Sequence, residues 1–150
     1  MIKLISDDQT IPWDLLWLAD ENTQSIERYI YQCTIYVLER DQKNIAVYAW
    51  QELDSDTVEI KNIAVDPAYQ GQGIGQRMLH DAIDRARNAG YKQIRIGTGD
   101  AGVKQLYIYQ KVGFEVFEIK HRFFLDLFPE PIYENGIQLK HTIVLKKDLV

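Results

Sequence analysis

A chain of 150 residues, 46% of them apolar and 26% charged, is long enough to bury a core without disulfide or metal staples. Its net charge of −5 excludes a broad nucleic-acid face, which needs a basic surface to neutralise phosphates. The acidic surplus is read equally well as steering for a cationic partner or as plain solubility. No apolar stretch has bilayer length, residues 1–10 lack a basic start followed by an apolar run, and a lone cysteine suits a reducing compartment. The expectation is therefore a cytoplasmic protein with no membrane partner. The histidines lie far apart, so no metal site is expected, and Cys33, heading an apolar run, reads as a buried thiol.

No repeat, linker or low-complexity tract divides the chain, so one domain over residues 1–150 is expected. Residues 2–5 read as a short strand. Thr10, Ile11 and Pro12 then open a helix, with Thr10 as cap, Pro12 in the first turn and Trp13, Leu16 and Trp17 on an apolar face. A second helix is expected over 23–31, where Ile26 and Ile30 have helical spacing. Runs at 33–39 and 45–52 flank a turn-rich tetrad at 41–44 and read as an antiparallel hairpin. Asp54, Ser55 and Asp56 make another turn before a third strand, 57–65.

A long helix follows at 73–89. Ile74, Met78, Leu79, Ala82, Ile83 and Ala86 fall on one face, with Arg77, His80, Asp81, Asp84 and Arg87 opposite and Gly90 as the left-handed stop. Residues 92–97 read as a strand, 103–112 as a helix ended by Gly113, 114–124 as a strand and 137–146 as the last strand, after a long connection. The order βααβββαβαββ implies an α/β fold on a mixed central sheet.

Between the third strand and the long helix stands Gln70-Gly71-Gln72-Gly73-Ile74-Gly75-Gln76. Glycine permits unusual dihedrals and close approach, and the helix start adds unspent N–H groups and partial positive charge, so an anion is the natural occupant. A Walker A loop would need Lys and then Ser or Thr after the glycines, where this chain has Gln76 and Arg77. The dinucleotide fingerprint would need glycine at 76.

The stretch NIAVDPAYQGQGIGQRML resembles the core motif of the GNAT superfamily of N-acetyltransferases, [QR]-x-x-G-x-[GA], with Gln70, Gly73 and Gly75 filling it. YIYQKVGF is similar to that family's Tyr-x-Lys-x-Gly-Phe helix ending. Together they cover residues 58–117. The resemblance implies a small, bacterial-type single-domain member of GNAT fold, helices on both faces of its sheet, with acetyl-CoA as co-substrate. It further implies that backbone N–H groups of Gln70, Gly71, Gln72, Gly73, Ile74, Gly75 and Gln76 hold the CoA pyrophosphate.

Val58 and Ile60 are apolar at even positions, but Ile63 and Val65 at odd ones. A strand with period two cannot do that without a one-residue slip near Lys61 and Asn62, unless helices cover both faces and parity loses meaning. The resemblance places a bulge there, freeing backbone groups of Ile63, Ala64 and Val65 for the pantetheine arm and the acetyl carbonyl.

Transfer from a thioester to an amine needs a neutral amine, a stabilised oxyanion and a proton for the departing thiolate. The resemblance points to Tyr109 as the proton donor; Tyr107 faces elsewhere on the helix. For the base it points to Glu59, with His121 the runner-up as the histidine ending a central strand, and with no dedicated base as a further alternative. Many family members carry an amide-bearing Asn near the start of the Tyr-bearing helix; here Asp100 stands in that neighbourhood, as a candidate cofactor contact that cannot donate as an amide does.

The expected activity is direct transfer of an acetyl group to a primary amine of a small molecule or peptide. The alternative is a non-catalytic acyl-CoA-binding sensor. Tyr48, Trp50, the first helices and the segment FFLDLFPEPIYENG, with Asp126, Glu130 and Glu134, are the expected sources of acceptor specificity. A homodimer through the C-terminal strands is an open alternative to a monomer.

Overall fold

The computed structural model describes residues 1–6, 10–20 and 22–150. These pack into two compact units, Met1–Ile94 with Leu149–Val150, and Arg95–Asp148. The first holds β1 (Ile2–Ile5), α1 (Trp13–Ala19), α2 (Thr23–Glu27), a 3-10 turn (Ile30–Gln32), β2 (Thr34–Arg40), β3 (Lys43–Glu52), β4 (Thr57–Val65), a second 3-10 turn (Pro67–Tyr69) and α3 (Ile74–Asn88). Its strands run antiparallel in the order β1-β2-β3-β4.

Alternation along β2 and β3 sorts this unit into two layers of core. Val37, Val47 and Ala49, with Ala64, pack against Leu15 and Leu16 of α1 and against Ile26 and Ile30. Tyr36, Tyr48 and Trp50 point the other way and form an aromatic group, with Tyr36 stacked on Tyr48 at 5.0 Å between centroids. The α3 helix covers that side, and its Asp81 accepts a hydrogen bond from the Tyr48 hydroxyl at 2.7 Å. Arg85 bonds Asp81 and lies over the Tyr36 ring, which tidies the polar ends of a largely buried aromatic layer. The expected α/β class, with helices on both sheet faces, is seen directly in this unit. All six residues on the predicted apolar face of α3 are buried.

The second unit holds most of β5 (Gln93–Gly99), α4 (Val103–Val112), β6 (Glu115–Lys120), α5 (Phe123–Leu127), β7 (Tyr133–Glu134), β8 (Ile137–Gln138) and β9 (Thr142–Asp148). Its strand order is β5-β9-β6, and β7 and β8 form a small hairpin of their own. Gly113 ends α4 at φ 117°, in the left-handed region its Cβ-less backbone permits.

Several expectations are corrected. Pro12, not Thr10, stands at the cap position of α1, with no side chain capping it. Leu15 is buried where Trp17 was expected to be; Trp17 is 41% exposed, its indole donating to Thr23. The second helix stops after Glu27, and Ile30 is carried into the core by the 3-10 turn instead. The hairpin turn is only Asp41 and Gln42, both at positive φ, because Lys43 and Asn44 already pair with β2. The strand expected to reach residue 124 ends at Lys120, after which a five-residue helix gathers Phe123 and Phe124 against Phe128. The last predicted strand is two, separated after Gln138. Tyr48 is fully buried and Trp50 nearly so, which makes them core rather than acceptor-facing walls.

Candidate active site

β4 carries the irregularity its parity demanded. Ala49 pairs with Asn62 but Trp50 pairs with Ile60, so Lys61 is an extra residue without an opposite number. The bulge keeps Ile63 opposite Tyr48 and Ile60 opposite Trp50, on one face, although their numbers differ in parity. The other face receives Glu59, Asn62 and Ala64, all buried. Ile63, Ala64 and Val65 keep their register with β3.

Glu59 is 8% exposed and bonded to the Lys61 ammonium, and the pair is held against the helical layer. Beside it, Asn62 donates through Nδ2 to the Leu16 carbonyl at 3.0 Å and to the Tyr29 hydroxyl at 3.2 Å. Because a carbonyl can only accept, these bonds fix which end of the amide is nitrogen, and Asn62 Oδ1 is left buried without a partner among the described residues. Burial holds the Tyr29 phenol well above its ordinary range, against a lowering contribution from Asn62. Burial likewise pushes the Cys33 thiol up to about 12, with the Lys61 ammonium pulling down and the Glu59 carboxylate pushing up. Cys33 is thus a neutral thiol, poorly suited to attack. Asn62 and Tyr29 were missed in the sequence; the only signal was an amide standing inside an apolar strand at the slip.

Beyond β4, Asp66 caps the second 3-10 turn by accepting from the Ala68 N–H. Gln70 folds back so that its amide donates to the Val65 carbonyl at 3.1 Å, tying the loop to the strand. Its side chain is therefore committed to the protein, and what Gln70 to Gln76 offer a ligand is backbone. Gly71 and Gly73 both sit at φ 79°, with open space where a Cβ would project, so their backbone angle rather than crowding requires glycine. The first hydrogen bond into α3 runs from the Arg77 N–H to the Gly73 carbonyl. The N–H groups of Ile74, Gly75 and Gln76 are thus not spent inside the helix, and no acidic residue occupies its first turn. That donor set suits a diphosphate.

In the second unit, Tyr109 is 7% exposed on α4, its ring 6.3 Å from that of Phe114. Burial first, and then the Glu134 carboxylate, holds its phenol protonated well above the usual range. Tyr107 is 62% exposed and turned away, as its position two residues earlier on the helix requires. Asp100 accepts the Lys140 N–H at 2.9 Å, and its own N–H donates to the His141 carbonyl. Burial pushes the Asp100 carboxyl up, but the backbone N–H groups of Lys140, His141 and Asp100 itself, with the Lys140 charge, more than offset it and hold it below its ordinary value. His121 does not end a central strand, because β6 lies last in the strand order; its ring meets that of His141, 5.2 Å away. Among the described residues no three metal-ligating side chains come together, and no helix is long and apolar enough to cross a membrane.

The sequence model described as the acetyltransferase (GNAT) family matches residues 1–114, a span that includes the bulge, the glycine loop and Tyr109. The chain belongs to the GNAT acetyltransferase family. Its curated relatives include the uncharacterized N-acetyltransferase YvbK of Bacillus subtilis (strain 168), 39% identical over 91% of this chain and 88% of that one. Among solved structures, a GNAT family acetyltransferase from Elizabethkingia anophelis with acetyl-CoA bound superposes with a TM-score of 0.95 at 41% identity, covering 99% of this chain and 97% of that one. A Bacillus subtilis acetyltransferase in complex with CoA superposes at 0.92 with 37% identity, covering 99% and 98%. The GNAT fold expected from the two motifs is therefore the fold of this chain.

Proposed function

We propose that the protein transfers an acetyl group from acetyl-CoA to a primary amine of a small molecule or peptide. The observation that carries this reading is the left-handed glycine loop, whose backbone donors and acid-free helix start suit the diphosphate of CoA. Relatives solved with acetyl-CoA or CoA, and matching over nearly their whole length, support it. Acetyl-CoA supplies an activated thioester. In this reading the backbone N–H groups of Gly71 to Gln76 hold the diphosphate, the Gln70 N–H being bonded to the Pro67 carbonyl. Those of Ile63 and Val65, which alternation turns away from β3 while that of Ala64 faces it, orient the arm and polarise the acetyl carbonyl.

Glu59 takes the proton from the acceptor amine, directly or through water, so that nitrogen can attack the carbonyl carbon. The new C–N bond forms, the C–S bond breaks, and Tyr109 gives its proton to the thiolate sulfur. A phenol held protonated by burial is always in the donating state at neutral pH. With its carboxylate spent on a backbone N–H, Asp100 enters as a brace for the segment before β9 rather than as a strong cofactor contact. Both compact units belong to one N-acetyltransferase domain, a reading supported by a family match that runs across residue 94. A reducing compartment such as the cytoplasm suits the unpaired Cys33.

The test is release of free CoA thiol from acetyl-CoA across a panel of primary amines, with Tyr109→Phe as control. Amine-dependent release that falls about 10²-fold or more in the variant is expected. Saturable acetyl-CoA binding with no release on any amine selects the sensor reading instead.

A further inference from the structure

β6 stands last in its strand order, so one edge of it is unpaired among the described residues. All six of its residues, Glu115 to Lys120, are exposed, with Val116 and Ile119 at 47% and Phe117 at 40%. An open strand edge carrying apolar side chains is a template for another strand unless it is blunted or covered. Its charges are uneven as well. Glu115 has Lys146 within 3.8 Å, whereas Glu118 and Lys120 have no ion-pair partner among the described residues.

We propose that β6 pairs antiparallel with β6 of a second copy of this chain, about a two-fold axis passing at Ile119. The sequence selects that register. With Ile119 opposite itself, Glu118 lies opposite Lys120 of the second copy, and the symmetry repeats the pair on the other side of the axis. Two unpaired charges then find each other twice, while the two exposed isoleucines meet on the opposite face of the ribbon. Centring on Glu118 or on Lys120 would place like charges face to face, and centring on Phe117 would fall on the bulge, where β6 has an extra residue between Val116 and Glu118. From Glu118 to Lys120 the strand is regular, paired with Val144, Ile143 and Thr142 on its inner side, so its outer edge is straight enough to accept a partner. Past it, Arg122 at φ 62° turns the backbone out of the strand and limits the ribbon's length.

Sedimentation velocity over a wide protein concentration range tests the association, and charge exchange tests the register. The wild type is expected to be a concentration-dependent dimer. Glu118→Lys and Lys120→Glu should each weaken it by about tenfold or more, and the double variant should restore it. Both side chains are exposed, and far-UV circular dichroism checks that each variant folds. In a Cys33→Ser background, Ile119→Cys should form an intermolecular disulfide on mild oxidation, since opposed Cα atoms in an antiparallel pair are within bridging distance, whereas Val116→Cys should not. A monomer at every concentration overturns the proposal, with Glu118 and Lys120 then serving to keep the edge unpaired. A dimer indifferent to the charge exchanges, or one that Val116→Cys cross-links as readily, overturns it too.

Discussion

Glu59 reaches its position because a bulge residue leans back on it. Lys61 has no partner on β3, and its ammonium pairs with the Glu59 carboxylate, so the buried acid has a charged partner on its own strand. If Glu59 is the base, Glu59→Gln lowers kcat/KM for the amine by roughly 10²–10⁴ at neutral pH. The loss should shrink as pH rises toward the amine's own pKa, because an amine already deprotonated in solution needs no base. A variant that merely disturbed packing would lose the same factor at every pH. Tyr109 is governed by burial instead. Tyr109→Phe keeps the ring against Phe114 and should lower kcat while leaving the KM for acetyl-CoA nearly unchanged. Its stability signature has a definite sign: above pH 10 the unfolded phenol ionises while the buried one stays neutral. The unfolded state then binds fewer protons, so wild-type stability falls as pH rises past 10, and the phenylalanine variant should lose less over the same range in urea melts. The sequence marked Tyr109 as the candidate donor, through the motif that follows it. It did not show Asn62 or Tyr29, whose importance lies in a contact between distant residues rather than in any local pattern.

At the scale of elements, β4 is where sequence and structure speak most directly to each other. The period of two is a geometric constant of strands, so a change of parity among Val58, Ile60, Ile63 and Val65 implied a slip, and Lys61 is that slip. Asn62 then joins β4 to α1 and to Tyr29, at the entry to the first 3-10 turn. Asn62→Ala removes the donor to the Leu16 carbonyl and to Tyr29, leaving buried groups unpaired, and should cost about 1–3 kcal/mol in urea unfolding. Gly73→Ala should cost about 1–2 kcal/mol through its positive φ, and should weaken CoA binding in calorimetry as the loop's N–H groups lose their direction. The α3 face was readable to the residue because fifteen residues give its 3.6 period room to declare itself. Short elements have no such room. The five residues of α5 lie in an aromatic run that a strand would equally favour, and β7 and β8, joined by the Asn135-Gly136 turn with both residues at positive φ, lie in and just after what reads as a long connection.

For the whole molecule the question is whether the two compact units answer to one ligand. The glycine loop, Glu59 and the bulge belong to the first unit, and Tyr109 and Asp100 to the second. A ligand that binds only the folded protein raises its stability by mass action, by about 2.7 kcal/mol at a hundred times its Kd. For a chain of this length that corresponds to a rise of roughly 5–11 °C in Tm. If the units form one domain, calorimetry should show a single transition that moves as a whole when CoA is added, with its calorimetric and van't Hoff enthalpies equal. If they unfold separately, two transitions should appear, and CoA should raise the one that contains the loop more than the other. Intrinsic fluorescence reports the first case independently: all three tryptophans, Trp13, Trp17 and Trp50, lie in the first unit. Their melting curve should coincide with far-UV circular dichroism, which senses both units, with and without CoA. A fluorescence transition that CoA shifts while part of the dichroism signal melts unmoved would divide the chain at residue 94 and end the single-domain reading.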